Sequence, residues 1–149
     1  MTKVAVRSTF TSETQGVIST ADAAIVLATA LHEIKAGPLA LSEAARLTQE
    51  AGLGFEISVV TDAKNLLSAL NVAQLKEPAE KNSIVHLMWL KDKLTEGVIR
   101  KLIWTDTRDM TVDGHTKGSI KRTALHMLMD GTVRAVYERE TLELHKRSP

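Results

Sequence analysis

The sequence predicts an α/β domain with parallel strand pairing, and three observations carry that prediction. Strand-like and helix-like stretches alternate as strand, helix, helix, strand, helix along the chain. The stretch Phe55–Asp62 is strand-like: Phe55, Ile57 and Val59 alternate with Glu56 and Ser58, and Val60 makes its end apolar on both faces. A helical pattern follows directly, with Ala63, Leu66, Leu67 and Leu70 on one face, so Asp62 stands where a buried strand turns into a helix.

Each element has its own local reason. Lys3–Ser8 alternates as a short strand with Val4 and Val6 on one face. Ser12 followed by Gln15 fits a capping box, and Glu13 in a first turn suits the helix dipole. The helix from about Glu13 to Ala36 is read from Val17, Ala21, Ala24, Ala28 and Leu31, and Gly37-Pro38 stops it. Gly16 inside it costs roughly 1 kcal/mol against alanine, which close packing against a neighbour would explain. Ser42 opens a helix over Glu43–Ala51 that Gly52 closes. Gln74–Asn82 is a polar loop containing proline. Ser83–Thr95 is a firm helix with Ile84, Leu87, Met88 and Leu94 on one face, ended by Gly97. Val98–Trp104 is a second strand, with Lys101 at a water-facing position, and Asp106–Lys117 is rich in turns. Ser119 caps a helix to Met129 that Gly131 ends. Thr132–Leu144 starts like a strand and ends in charged residues expected to fray.

Composition narrows the function classes. The 149 residues suffice for one core, and 44% apolar with 25% charged residues is a globular balance. A formal charge of +1 gives no global field towards nucleic acid or membrane. The absence of cysteine excludes a disulfide framework and thiolate metal sites and favours an intracellular location. The apolar run Ala21–Leu31 is too short to span a bilayer, so no membrane partner is expected.

The order of motifs resembles a known family. TDAKNLLSAL, then AEKNSIVHLMWLKDKLTEGVIRKLIWTDTRDMTVDGHTKGSI, is similar to the ribonuclease H region at the end of copia-type retrotransposon Pol polyproteins. That family places an Asp at a strand end, a long helix after it, a strand with a threonine-rich exit, and a closing L-A-D-x-x-T-K motif. Here the last motif reads Val112-Asp113-Gly114-His115-Thr116-Lys117. Ser8–Val17 resembles the family's S-T-x-A-E-x-x-A-L helix start, with Glu13 on its glutamate. The resemblance covers roughly residues 3 to 120.

What the resemblance implies is an α/β fold with a ribonuclease H-like mixed sheet flanked by helices, missing its first strands. It implies a partial domain over residues 1–130, followed by a C-terminal strand and tail over 131–149. The activity implied is metal-dependent cleavage of RNA in an RNA–DNA hybrid. Two Mg²⁺ ions held by clustered carboxylates ready a water and stabilise the leaving oxygen. Glu13, Asp62 and Asp113 would be the metal ligands, and His115 would assist product release or contact phosphate. Lys117, Lys121 and Arg122 could touch nucleic-acid phosphates. The implied partners are the hybrid and the reverse transcriptase portion of the same polyprotein, in cytoplasm, virus-like particle or nucleus. Read from the residues alone, Asp62 is equally a helix cap, Glu13 a dipole partner, His115 a loop histidine, and the basic residues a solvated face.

Departures from the pattern predict an incomplete catalytic set. The family's first hairpin supplies a leading aspartate, yet no Asp or Glu precedes Glu13 here. The family's Asn-Gln after the strand Asp is Ala63-Lys64, and its Lys-His-Ile-Asp is Lys81-Asn82-Ser83-Ile84. Asp106 and Asp109 are the acids near enough to substitute in part. The chain is therefore expected to be inactive alone, with a non-catalytic remnant or a small α/β interaction module as the alternatives. His32, His86, His115, His126 and His145 have no metal-ligand spacing, and Trp89 and Trp104 are expected in the core.

Overall fold

The computed structural model describes residues 9–72, 82–110, 123–132, 134 and 136–145. The elements run in the order α1 (Thr9–Ala36), α2 (Leu41–Gln49), β1 (Ser58–Thr61), α3 (Lys64–Leu70), α4 (Asn82–Glu96), β2 (Lys101–Thr105), a 3₁₀ turn (Thr107–Asp109), α5 (Thr123–Met129) and β3 (Arg139–Leu142). The fold class is α/β with a small mixed sheet in the order β1-β2-β3. β1 and β2 are parallel, with Val59 beside Leu102 and Val60 beside Ile103. β3 is antiparallel to β2, with Leu142 beside Leu102. The expected strand Lys3–Ser8 and the loop at 74–81 lie outside the described residues.

One face of the sheet carries the core. Val59, Leu102 and Leu142 are cross-strand neighbours. They are buried with Leu66, Leu67 and Leu70 of α3, Leu87, Leu90 and Leu94 of α4, and Val17, Ala21 and Ala28 of α1. The helices cover this face because their apolar positions recur every three to four residues and the strand's every two. Val60 and Thr141, which flank Ile103 on the other face, are exposed, Val60 to 48%. The expectation of a strand buried on both faces is thus corrected. β1 is an edge strand among the described residues, and a three-stranded sheet packs helices on the side of Val59 only.

Other boundaries shift for local reasons. The strand pattern starts at Phe55, but the ladder starts at Ser58, and Phe55 is exposed. β2 likewise begins at Lys101 rather than Val98, since Val98 and Ile99 turn the chain out of α4 while remaining buried. α1 begins at Thr9, which places Ser12 and Gln15 inside the helix and removes the capping box. α2 begins one residue before Ser42, and its N-cap Ala40 makes no side-chain bond. In the C-terminal stretch the strand is the charged Arg139–Leu142, and residues 134, 136 and 137 are not strand. The charges were read as fraying. Pairing with β2 orders them, and Leu142 supplies the apolar anchor. An added Cβ at Gly16 would meet nothing within 4 Å, so no packing among the described residues accounts for that glycine.

Gly97 is a position where glycine is required. It ends α4 with φ at +82°, and a Cβ there would stand 2.9 Å from the His145 ring. His145 in turn hydrogen-bonds through Nδ1 to the Thr95 carbonyl at 2.9 Å, tying the end of the described chain to the end of α4.

Candidate functional site at the carboxyl edge of the parallel pair

Parallel β1 and β2 bring their carboxyl ends to one edge, where ligands collect in open α/β sheets. Asp62 leaves β1 there and is exposed. It does not cap α3: the N-cap is Ala63, with no side-chain cap bond. Instead Thr61 Oγ1 accepts the Ala63 N–H at 3.2 Å, leaving the Asp62 carboxylate for other partners. The Asp62 carbonyl accepts from Trp104 Nε1 at 3.0 Å, and Thr107 Oγ1 donates to Oδ2 over a long 3.4 Å. The Asp62 backbone is therefore fixed by β2 while its carboxylate is weakly engaged.

Lys64 fills the place next to this aspartate in a way the sequence did not disclose. Its ammonium lies 4.5 Å above the Trp104 ring and 3.0 Å from Glu140 of β3. The Glu140 carboxylate raises the Lys64 pKa above its ordinary value. Three elements meet in this contact, and Trp104 is half-buried in it rather than wholly in the core.

Two of the acids beyond β2 are committed to structure. Asp106 accepts from Arg108 Nε at 2.8 Å, Arg108 Nη2 at 2.9 Å and the Arg108 N–H at 3.0 Å, so it caps the 3₁₀ turn. The Arg108 guanidinium holds the Asp106 carboxyl down at about 2. Arg108 also lies 3.7 Å over the Tyr137 ring. Asp109 Oδ2 accepts the backbone N–H groups of Val136 and Tyr137 at 3.0 and 2.8 Å. The Asp109 carboxylate holds the chain after α5 to the 3₁₀ turn and the Asp106 carboxylate is held by Arg108, so the two acids read as partial substitutes for a missing ligand are already engaged.

Glu13 is placed by α1. His32 Nδ1 bonds the Leu53 carbonyl at 2.9 Å, so the far end of α1 lies beside the approach to β1. Glu13 is nineteen residues back along the helix, about 28 Å at 1.5 Å per residue. Asp62 is nine residues beyond Leu53, at most about 30 Å of extended chain. A second contact marks the same end. Thr11 Oγ1 and Ser83 Oγ are 2.8 Å apart and buried, and Ser83 opens α4, whose other end delivers the chain to the start of β2. The amino ends of α1 and α4 thus lie side by side. Glu13 Oε2 is buried without a hydrogen-bond partner among the described residues.

Glu13 thus sits in the amino-terminal stretch of α1, beside the start of α4, and Asp62 follows the last residue of β1. Asp113, His115, Lys117, Lys121 and Arg122 lie outside the described residues. Among the described residues no three His, Cys, Asp or Glu side chains form a metal-holding group. The residues that sequence reasoning missed are Thr107 and Lys64, which touch Asp62 and Trp104 respectively. Thr107 was visible only as part of a threonine-rich strand exit. A groove between α3 and β3, lined by Leu67, Ser68, Asn71, Glu140, Thr141 and Leu142, is not lined by either Glu13 or Asp62.

No protein-family model, no curated protein and no solved structure matches the chain.

Proposed function

We propose that this chain is part of a ribonuclease H-like domain from a copia-type Pol polyprotein, for Mg²⁺-dependent cleavage of RNA in RNA–DNA hybrids, and incomplete as an enzyme by itself. The observation that carries the reading is the exposed, weakly engaged carboxylate of Asp62 directly after β1. The buried Glu13 oxygen, with no described partner, supports it. Both are hard oxygen donors of the kind Mg²⁺ takes, and that ion keeps several waters, so few carboxylates are needed to hold it. An unpartnered buried carboxylate oxygen is costly without a cation, which supports the fit. Glu13 and Asp62 would hold the ion, with Asp113 added from the motif Val112–Lys117. Bound Mg²⁺ supplies the activation of water and the stabilisation of the leaving oxygen.

The chain's own residues do the positioning. Trp104 of β2 and Thr107 of the 3₁₀ turn hold Asp62, and Lys64 is engaged by Glu140 and the Trp104 ring. The unpaired edge of β1 among the described residues supports a sheet completed by further strands on that side. Because Asp106 and Asp109 are already engaged, neither replaces a missing ligand. A domain that is incomplete by itself is favoured over a self-sufficient nuclease on that ground.

The test is cleavage of a labelled RNA–DNA hybrid by this chain alone and by the chain joined behind the reverse transcriptase portion of its polyprotein. The expected result is little or no cleavage alone and Mg²⁺-dependent cleavage when joined, abolished by Asp62→Asn. Joined protein that cleaves as well with Asp62→Asn removes the reading, and so does joined protein that never cleaves.

A further inference from the structure

The longest helix carries a face that no described residue covers. Along α1, Val17, Ala21 and Ala28 point into the core. On the opposite side Gly16, Thr20, Ala23, Leu27, Ala30 and Ile34 are all exposed, Leu27 to 60% and Ile34 to 82%. Their spacing is four, three, four, three, four, the heptad spacing of a helix–helix seam. Val26, 69% exposed, flanks the seam. Between Glu13 and Glu33 the helix has one acid, Asp22, and no lysine or arginine. This is not the surface of a helix that only covers its own core.

We propose that this face pairs with the same face of a second copy of the chain, α1 against α1 in antiparallel orientation. Side-chain size selects both the partner and the direction. One set of seam positions is Gly16, Ala23 and Ala30, all small, and the alternate set is Thr20, Leu27 and Ile34, all larger. Antiparallel seams set each position of one set against one of the other, so every larger side chain meets a small one. A parallel pair would set Leu27 on Leu27 and Ala23 on Ala23, leaving alternate wide and empty layers. The register that uses the whole seam places Ile34 on the partner copy's Gly16, Leu27 on its Ala23 and Ala30 on its Thr20. Val26 then packs beside its own equivalent near the two-fold axis. Gly16, which no packing among the described residues explains, provides the hole for Ile34.

The area is sufficient. Val26, Leu27, Leu31 and Ile34, with the small residues between them, expose on the order of 500 Å² of apolar surface, which in a soluble domain marks an interaction site. Two such faces approach the roughly 1,000 Å² of a specific interface. By length and composition Phe10–Ala36 could also cross a membrane. Its opposite face, however, seals α4 and β1 through Ala21 and Ala28, and embedding the helix would strip that core. A second copy covers the free face and leaves the core intact.

The chain has no cysteine, so single-cysteine variants report the geometry cleanly. Sedimentation of the full chain at micromolar concentration should give a dimer, and Leu27→Glu or Ile34→Lys should give a monomer with an unchanged circular-dichroism spectrum. Under oxidation Val26→Cys should link to itself. Ile34→Cys should not, because two copies of residue 34 lie about 27 Å apart in the antiparallel register, but it should link when mixed with Gly16→Cys. A monomeric wild type, a dimer indifferent to both charged variants, or self-linking Ile34→Cys each overturns the proposal. So does a monomer that floats with anionic phosphatidylserine vesicles and is released by Leu27→Glu, which would assign the face to a membrane surface.

Discussion

Glu13→Gln should stabilise the protein without Mg²⁺ and remove most of what Mg²⁺ adds. Leaving a buried polar group without a partner costs about 1–3 kcal/mol, and more when it is charged. Glu13 Oε2 is such a group among the described residues. Glutamine keeps the shape and still lacks a partner, so only the excess due to charge is recovered, about 1 kcal/mol. For the unaltered chain, Mg²⁺ at ten times its dissociation constant adds RT ln 11, about 1.4 kcal/mol. In a domain of this size that is a rise of about 3–5 °C in Tm. The two proteins should therefore reverse order or become equal as Mg²⁺ is raised. Asp62→Asn should lose the Mg²⁺ response with little change in stability, since Asp62 is exposed. Urea melts across a Mg²⁺ series measure both effects, with Ca²⁺-free buffer and matched ionic strength separating binding from screening. If the variant is less stable than the parent without Mg²⁺, Glu13 has a structural partner. If both gain equally, the carboxylates do not hold the ion, and the proposed site fails.

Gly97→Ala should cost roughly 2 kcal/mol, since the left-handed backbone costs about 1–2 kcal/mol in any L-residue and the His145 ring must also move; His145→Ala in the same background should recover part of the loss in a thermal melt. Leu90→Ala removes a side chain with no exposed surface from α4 and should cost about 2–5 kcal/mol, read as a lower urea midpoint with unchanged slope. The Asp106 carboxyl, held at about 2 by Arg108, lies below its unfolded value near 3.9. Its contribution is present above about pH 4 and lost as pH falls towards 2. The stability gap between the parent and Asp106→Asn should therefore be flat at neutral pH and close below pH 4. An unchanging gap would show that the cap, not the charge, matters.

The sequence by itself determined the elements that are built locally. α1 and α4 were legible because their buried residues recur at helical spacing and because Gly37-Pro38 and Gly97 stop them by backbone geometry alone. The turn from β1 into α3, with Asp62 at the strand end, was legible for the same reason. Alternation along Phe55–Val60 showed which residues share a face, but not whether a second layer covers the far one. Only the tertiary structure decided that Val60 is open. The structure also decided that Arg139–Leu142 is a strand, because its register comes from β2 and its charges from partners such as Lys64, none of which is near in sequence. The acids divide in the same way. Asp62, Asp106 and Asp109 look alike in the sequence, yet Asp106 and Asp109 are bound by Arg108 and by the backbone at Val136 and Tyr137. A carboxylate's type is local, but whether its lone pairs are already taken depends on groups that folding brings from elsewhere.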